Sequence, residues 1–166
     1  MLPTYDDNGY NIAMTNIDTR LAELGLTLPT PPKPMATYAT AVRLGDLLYV
    51  SGTGPLEADG SYTTGRLGAD LDVAAGQGAA RACALAMLAT VRAHVGSLDR
   101  VARIVKVLGF VNATPEFTDH PKVMNGFSDL MVQIFGDAGL GARSAVGAPS
   151  LPAGTPVEVE AIFLLR

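Results

Sequence analysis

The 166-residue chain has one cysteine, Cys83, two histidines and no tryptophan. A single cysteine excludes an intrachain disulfide and points to a reducing compartment. The two histidines, His94 and His120, stand in no ligand-spaced cluster with Cys83 or with carboxylates. A zinc site therefore lacks a ligand set, and neither metal nor cofactor is expected. There is no run of Lys or Arg, and the net charge is −4. Nucleic-acid binders display a basic patch, so nucleic acid is not an expected partner. No apolar stretch reaches the roughly 18 residues that a membrane span needs, so no membrane contact is expected. The opening M-L-P-T-Y-D-D-N-G-Y-N has neither a basic nor an apolar leader region, which makes a cytoplasmic protein the expectation. Neither a G-x-S-x-G nucleophile elbow nor a P-loop occurs.

What is present is a globular composition, 48% hydrophobic and 17% charged. A chain of this length buries about 70% of its unfolded surface without staples. So small a charged fraction implies that part of the surface is covered by other subunits.

Residues 1–14 show no periodicity. From Thr15, T-N-I-D-T-R-L-A-E-L-G-L reads as a short helix capped by Thr15 or Asn16, with Ile17, Leu21 and Leu24 on one face and Gly25 as the stop. Leu28–Pro34 is a proline-stiffened strap. Residues 1–34 are thus expected to form an extension, and 35–166 the domain. A-T-A-V-R-L-G-D-L-L-Y-V-S-G reads as two strands about a Gly45-Asp46 turn, followed by a glycine-rich loop, Glu57–Gly68. A long alanine-rich helix follows and ends at Gly96, its stripe formed by Val73, Ala80, Ala84, Met87, Leu88 and Val91. V-A-R-I-V-K-V-L-G-F-V-N is a strand, and a second helix spans about Pro121 to Phe135. Two strands close the order β-β-α-β-α-β-β. This order predicts an α+β fold with two helices on one face of a mixed sheet. No helix remains for the other face, and oligomerisation is its simplest cover.

The chemistry has few places to reside. Cys83 lies among alanines and reads as a small core residue, and His94 as a surface or dipole-compensating group at a helix end. In V-E-V-E-A-I-F, Glu158 and Glu160 share one face while Val157, Val159, Ala161 and Phe163 share the other. Arg143 opens the neighbouring strand and, after a turn around Pro152–Gly154, approaches the glutamates. An Arg–Glu pair there is either structural or a site, in which Arg143 holds a carboxylate bidentately and a glutamate serves as acid and base.

Four segments carry a resemblance: P-M-A-T-Y-A-T-A-V-R-L-G-D-L-L-Y-V-S-G-T-G-P, V-K-V-L-G-F-V-N, A-R-S-A-V and L-P-A-G-T-P-V-E-V-E-A-I-F. From about Met35 to Arg166 the chain resembles the reactive intermediate deaminase family, also called the YjgF or UK114 family. The most specific element is R-S-x-V, with eight residues from Arg143 to the L-P pair and fifteen to Glu158. The resemblance implies a chorismate-mutase-like fold, a homotrimer, and ligand sites in clefts between subunits. It implies hydrolysis of carboxylate-bearing enamines and imines such as 2-aminoacrylate to a keto acid and ammonia, without a cofactor. By position, Arg143 would grip the carboxylate and Glu158 would position or activate water. Tyr38 would sit at the pocket mouth from the adjoining subunit, and Gly52, beside Ser51, would offer backbone to the nitrogen end. Asn125 matches a pocket asparagine, and Ala145 stands where many members carry cysteine. Read as structure only, Tyr38 is a strand-edge tyrosine, Ser51-Gly52 a bulge, Asn125 an exposed helix residue and Glu160 an interface carboxylate.

The extension, the longer loop at Leu56–Asp70 and an insertion around Pro115–Val123 depart from the family pattern and surround the expected pocket. The alternatives to the deaminase are a non-catalytic module that binds small carboxylates and an endoribonuclease, a label the family sometimes carries. The acidic balance and scarce histidine count against the last.

Overall fold

The computed structural model describes residues 16–57 and 59–166, so the expectation for residues 1–14 and a cap at Thr15 lie outside the described residues. Asn16 caps α1 (Ile17–Glu23): its side chain accepts a hydrogen bond from the Thr19 N–H at 3.0 Å. Ile17 and Leu21 are buried in the same core as the rest of the molecule, and Gly25 follows at φ +64°. The Ile17 N–H also donates to Asp99 Oδ1 at 2.7 Å, and Arg20 Nε to the Gln133 carbonyl at 2.9 Å. The short helix is therefore fastened to the body at both flanks.

The body runs β1 (Ala41–Leu44), β2 (Leu47–Thr53), α2 (Val73–Val95), β3 (Val101–Asn112), α3 (His120–Phe135), β4 (Ala142–Ala148) and β5 (Val157–Leu165). This is the expected order, an α+β fold on a mixed sheet. Gly45 takes φ +60° in the β1–β2 turn, where a β-carbon would be strained. Asp72 caps α2, accepting from the Ala75 N–H at 2.8 Å, and Gly96 ends it at φ +86°. Of the expected stripe, Ala80, Ala84, Met87, Leu88 and Val91 are fully buried, whereas Val73 is only partly so.

The sheet order is β1-β2-β5-β3-β4, with β3 and β4 parallel and every other pair antiparallel. The strand of Arg143 is thus not the neighbour of the strand of Glu158, because β3 lies between them. The reason is the crossover through α3, which lays β4 parallel to β3 on the outer edge and leaves the centre to β5. Alternation in β5 is as read: Val157, Val159, Ala161 and Phe163 are buried toward the helices, while Glu158 and Glu160 face the other way. On that second face Val42, Leu44, Tyr49 and Val146 are exposed.

The two long helices pack closely where α3 presents Gly126 to α2. A β-carbon on Gly126 would overlap the Gln77 carbonyl group, lying 2.7 Å from its carbon. Gly126→Ala gains about 1 kcal/mol of helix propensity but incurs an overpacking cost of about 1–3 kcal/mol. The contact is with backbone, which cannot rotate away, so the cost dominates. The variant is expected to unfold at a lower urea midpoint than the wild type with an unchanged m-value.

Candidate functional site

Between β2 and β5 the register slips by one residue: Val50 pairs with Ala161 and Thr53 with Val159, so Ser51 and Gly52 together oppose Glu160. This bulge turns the backbone of Gly52 against the side chain of Glu158. A β-carbon at Gly52 would collide with Glu158 Oε1 and come within 2.9 Å of Cδ, so a larger residue there would displace the carboxylate from its present position. Glu158 is half-buried, and its pKa is raised by that burial first and by the neighbouring Glu160 second.

Glu158, Gly52, Ser51 and Tyr38 border one pocket of ≈440 Å³. Its far wall comes from the proline strap, and Tyr62 and Pro152 complete it. Ser51 staples the segment just before β1 to the sheet, since its N–H donates to Thr40 O at 3.0 Å and its Oγ to Ala39 O at 2.7 Å. The Tyr38 hydroxyl accepts from the Met35 N–H at 3.3 Å. Cys83 is fully buried, its thiol donating to Val157 O at 3.7 Å, and burial pushes its pKa well up, with Glu158 next in effect. His94 is exposed and bonds Thr40 Oγ1 at 3.0 Å.

Arg143, Asn125 and Ala145 form a second group elsewhere. Arg143 pairs in register with Val107 and Ala145 with Gly109, both on the helix face of β3. Glu158 pairs with Phe110 on the opposite face. One Nη1 of Arg143 donates to Asn125 Oδ1 at 3.1 Å and to Ser128 Oγ at 2.9 Å, and Nη2 donates to Pro121 O at 3.1 Å. Arginine has five N–H donors, so its Nε–H and one Nη2–H have no partner among the described residues. The guanidinium is fixed in orientation yet retains donors for a carboxylate. Within one chain, then, Glu158, Gly52, Ser51 and Tyr38 come together, as do Arg143, Asn125 and Ala145. The two groups do not meet, and a site holding both would need two chains. Among the described residues no group of three or more His, Cys, Asp or Glu is placed to hold a metal ion.

Sequence reasoning missed Ser128 and Tyr62. Ser128 follows Asn125 by three positions on a helix, which puts both on one side, and that spacing was available. Tyr62 sits in an irregular loop, where no periodicity marks a side chain's direction.

A family model described as "YjgF/chorismate mutase-like, putative endoribonuclease" matches residues 18–162. The chain belongs to the YjgF family. The match begins inside α1, so it takes in the short helix and the strap as well as the sheet. A curated member similar to this chain is Protein TCP17 of Trypanosoma cruzi, 45% identical over 156 residues that cover 93% of this chain and 98% of that one. The crystal structure of Atu1372 from Agrobacterium tumefaciens, a protein of unknown function, superposes with a TM-score of 0.84 at 43% identity, covering 91% of this chain and 94% of that one. A more distant YjgF relative is the 2-iminobutanoate/2-iminopropanoate deaminase of Dermatophagoides farinae, 28% identical over 155 residues, 85% of this chain and 95% of that protein. With that relative, the YjgF membership supports a function of the reactive-intermediate-deaminase type.

Two predictions test the local chemistry. A glutamate whose folded pKa is raised binds its proton more tightly folded than unfolded, so stability falls as pH rises from the ordinary glutamate value through the raised one. Glu158→Gln removes that loss: its Tm is expected to exceed the wild type's at pH 7, with the gap shrinking as pH drops below the ordinary glutamate range. Ser128→Ala leaves Arg143 with one fewer fixed contact. The binding of small 2-keto acids, followed by calorimetry, is expected to weaken several-fold while Tm changes little.

Proposed function

We propose that the protein hydrolyses reactive imines and enamines that carry a carboxylate, releasing a keto acid and ammonia, at clefts formed between the subunits of a homotrimer. The observation that carries this reading is the Glu158 carboxyl held against Gly52 in a largely apolar pocket, where burial raises its pKa. Arg143 of one copy holds the substrate carboxylate through its two free donors, while Glu158 of another faces the imine. Tyr38, Ser51 and Gly52 line the Glu158 side, and Asn125 orients Arg143. Ala145 offers only backbone and a methyl group at the position where many family members carry cysteine.

The steps balance around one carboxyl group. Glu158 gives its proton to the imine nitrogen. Water then adds to the carbon, the C=N π pair moves to nitrogen, and a water proton passes to the Glu158 carboxylate. From the resulting carbinolamine, Glu158 returns a proton to nitrogen and the C–N bond breaks. The hydroxyl proton goes back to Glu158 as the C=O bond forms and ammonia leaves. Orientation of the substrate and one proton shuttle suffice for this sequence.

A second reading is a non-catalytic module that binds small carboxylates. It is favoured by Arg143 alone, which is fully oriented by α3 without any contribution from Glu158. The endoribonuclease in the family's description finds little support in a chain of net charge −4 without a Lys/Arg run.

The test is a coupled assay in which an amino-acid oxidase generates 2-imino acids and keto-acid release is followed. The wild type is expected to accelerate release. Arg143→Ala and Glu158→Gln are each expected to lower kcat/KM by at least 100-fold, in the range of lost acid–base catalysis. Binding of keto acid should persist in Glu158→Gln and weaken in Arg143→Ala. No acceleration by a folded trimer, with binding intact, would replace the deaminase by the binding module.

A further inference from the structure

The proposed chemistry leaves one histidine unused. His120 opens α3, the helix that orients Arg143, and it immediately precedes Pro121, whose carbonyl accepts from Arg143 Nη2 at 3.1 Å. Its ring lies over β4. A β-carbon at Gly147 would come within 2.6 Å of His120 Nε2 and 3.2 Å of Cε1, so the imidazole fills the space that a side chain at position 147 would take. The ring of Phe117 meets it edge-on, with centroids 5.5 Å apart and planes at 78°. Packing alone holds the imidazole in place. Among the described residues, neither ring nitrogen has a hydrogen-bond partner.

Alternation along β4 sets Arg143, Ala145 and Gly147 on one face, the face that α3 covers. From Arg143 to Gly147 the strand rises about 13 Å, four residues at about 3.3 Å each. The arginine side chain crosses part of that distance, because its acceptor at Pro121 lies beside His120 in the chain. Positions 145 and 147 offer only a methyl group and a hydrogen, so no β4 side chain stands between guanidinium and imidazole. An anion on the free donors of Arg143 lies over this row of small residues, with the His120 ring at its end. All these contacts are made within one chain, and none depends on which surface a second copy covers.

We propose that His120 is a substrate-contacting residue: a carboxylate held by the free donors of Arg143 accepts a further hydrogen bond from a ring N–H of His120. The inference rests on the proposed carboxylate site at Arg143 and adds a donor to it. An ionised carboxylate has about four lone-pair sites, and two guanidinium N–H groups occupy two of them. Acceptor capacity therefore remains for the imidazole. Gly147 is a positioning residue in this arrangement, since its missing side chain is what admits the ring.

The experiment uses pyruvate as the probe. Each chain has two histidines, so protein carrying ¹³C-labelled histidine rings gives two Cε1–H signals, and the one absent from His120→Gln belongs to His120. Pyruvate is expected to shift that signal in the wild type and to leave it in place in Arg143→Ala. By calorimetry, His120→Ala is expected to weaken pyruvate binding about tenfold, the scale of one hydrogen bond to a charged group. His120→Gln keeps an N–H donor and is expected to lose less. Gly147→Ala retains the histidine but displaces its ring, and a several-fold loss is expected there with Tm little changed. If saturating pyruvate leaves the His120 signal unmoved and His120→Ala binds as tightly as the wild type, the inference is overturned while the Arg143 site stands. A wild type that binds no pyruvate overturns both. The coupled imine assay is read separately: without acceleration the deaminase falls, yet a shifted signal still places His120 on the ligand.

Discussion

Both long helices lie on one face of a five-stranded sheet, and β5 passes through the middle of that sheet. Because a strand alternates its side chains, the same residues that bury Val157, Val159, Ala161 and Phe163 under the helices must turn Glu158 and Glu160 the other way. The core therefore dictates where the carboxyl groups go. Fully buried Phe163 and Phe127 anchor the helix side, and a one-residue slip of β5 would place charges in that core. The bulge at Ser51-Gly52 then refines the result. It brings backbone close to Glu158 without altering the register on the helix side of Val50.

The same one-sided packing explains why the candidate site is divided. Arg143 projects toward α3, which holds it through Asn125, Ser128 and the Pro121 carbonyl. Glu158 projects from the face that has no helices, and β3 separates the two strands. An arginine and a carboxylate kept apart in this way do not neutralise each other, so each retains its own capacity to meet a ligand. In the proposed reading a second copy would bring them to one substrate; Val42, Tyr49 and Val146 are exposed on the face without helices.

Much of this was legible in the sequence, and the remainder was not, for definite reasons. The order of elements followed from periodicity and punctuation: Gly96 ends α2, Gly45 turns β1 into β2, and V-E-V-E reads directly as a half-buried strand. Strand neighbours were harder. Alternation tells which side a residue faces but not which strand lies beside it, so Arg143 and Glu158 were brought together across what is the position of β3. The family resemblance supplied Ser51 and Gly52 as pocket residues and Tyr38 as one reaching in from the adjoining subunit; the fold sets all three beside Glu158 of the same chain. It could not supply Tyr62 or the strap's contribution, because irregular segments take their positions from tertiary contacts that leave no local pattern. Ser128 left the signal of helical spacing, but a serine near an arginine is too common to be read alone.

The central place of β5 has a further meaning for how the molecule is made. The strand at the middle of the sheet is the one synthesised after all its neighbours, and it joins β2 on one side to β3 on the other. Until residues 157–165 emerge from the ribosome, the β1–β2 hairpin and the β3–α3–β4 unit have no strand to connect them. Both display the edges and apolar faces that β5 will cover. The long-range pairings that complete the sheet come late and close large loops, which slows folding and favours help from chaperones during the wait.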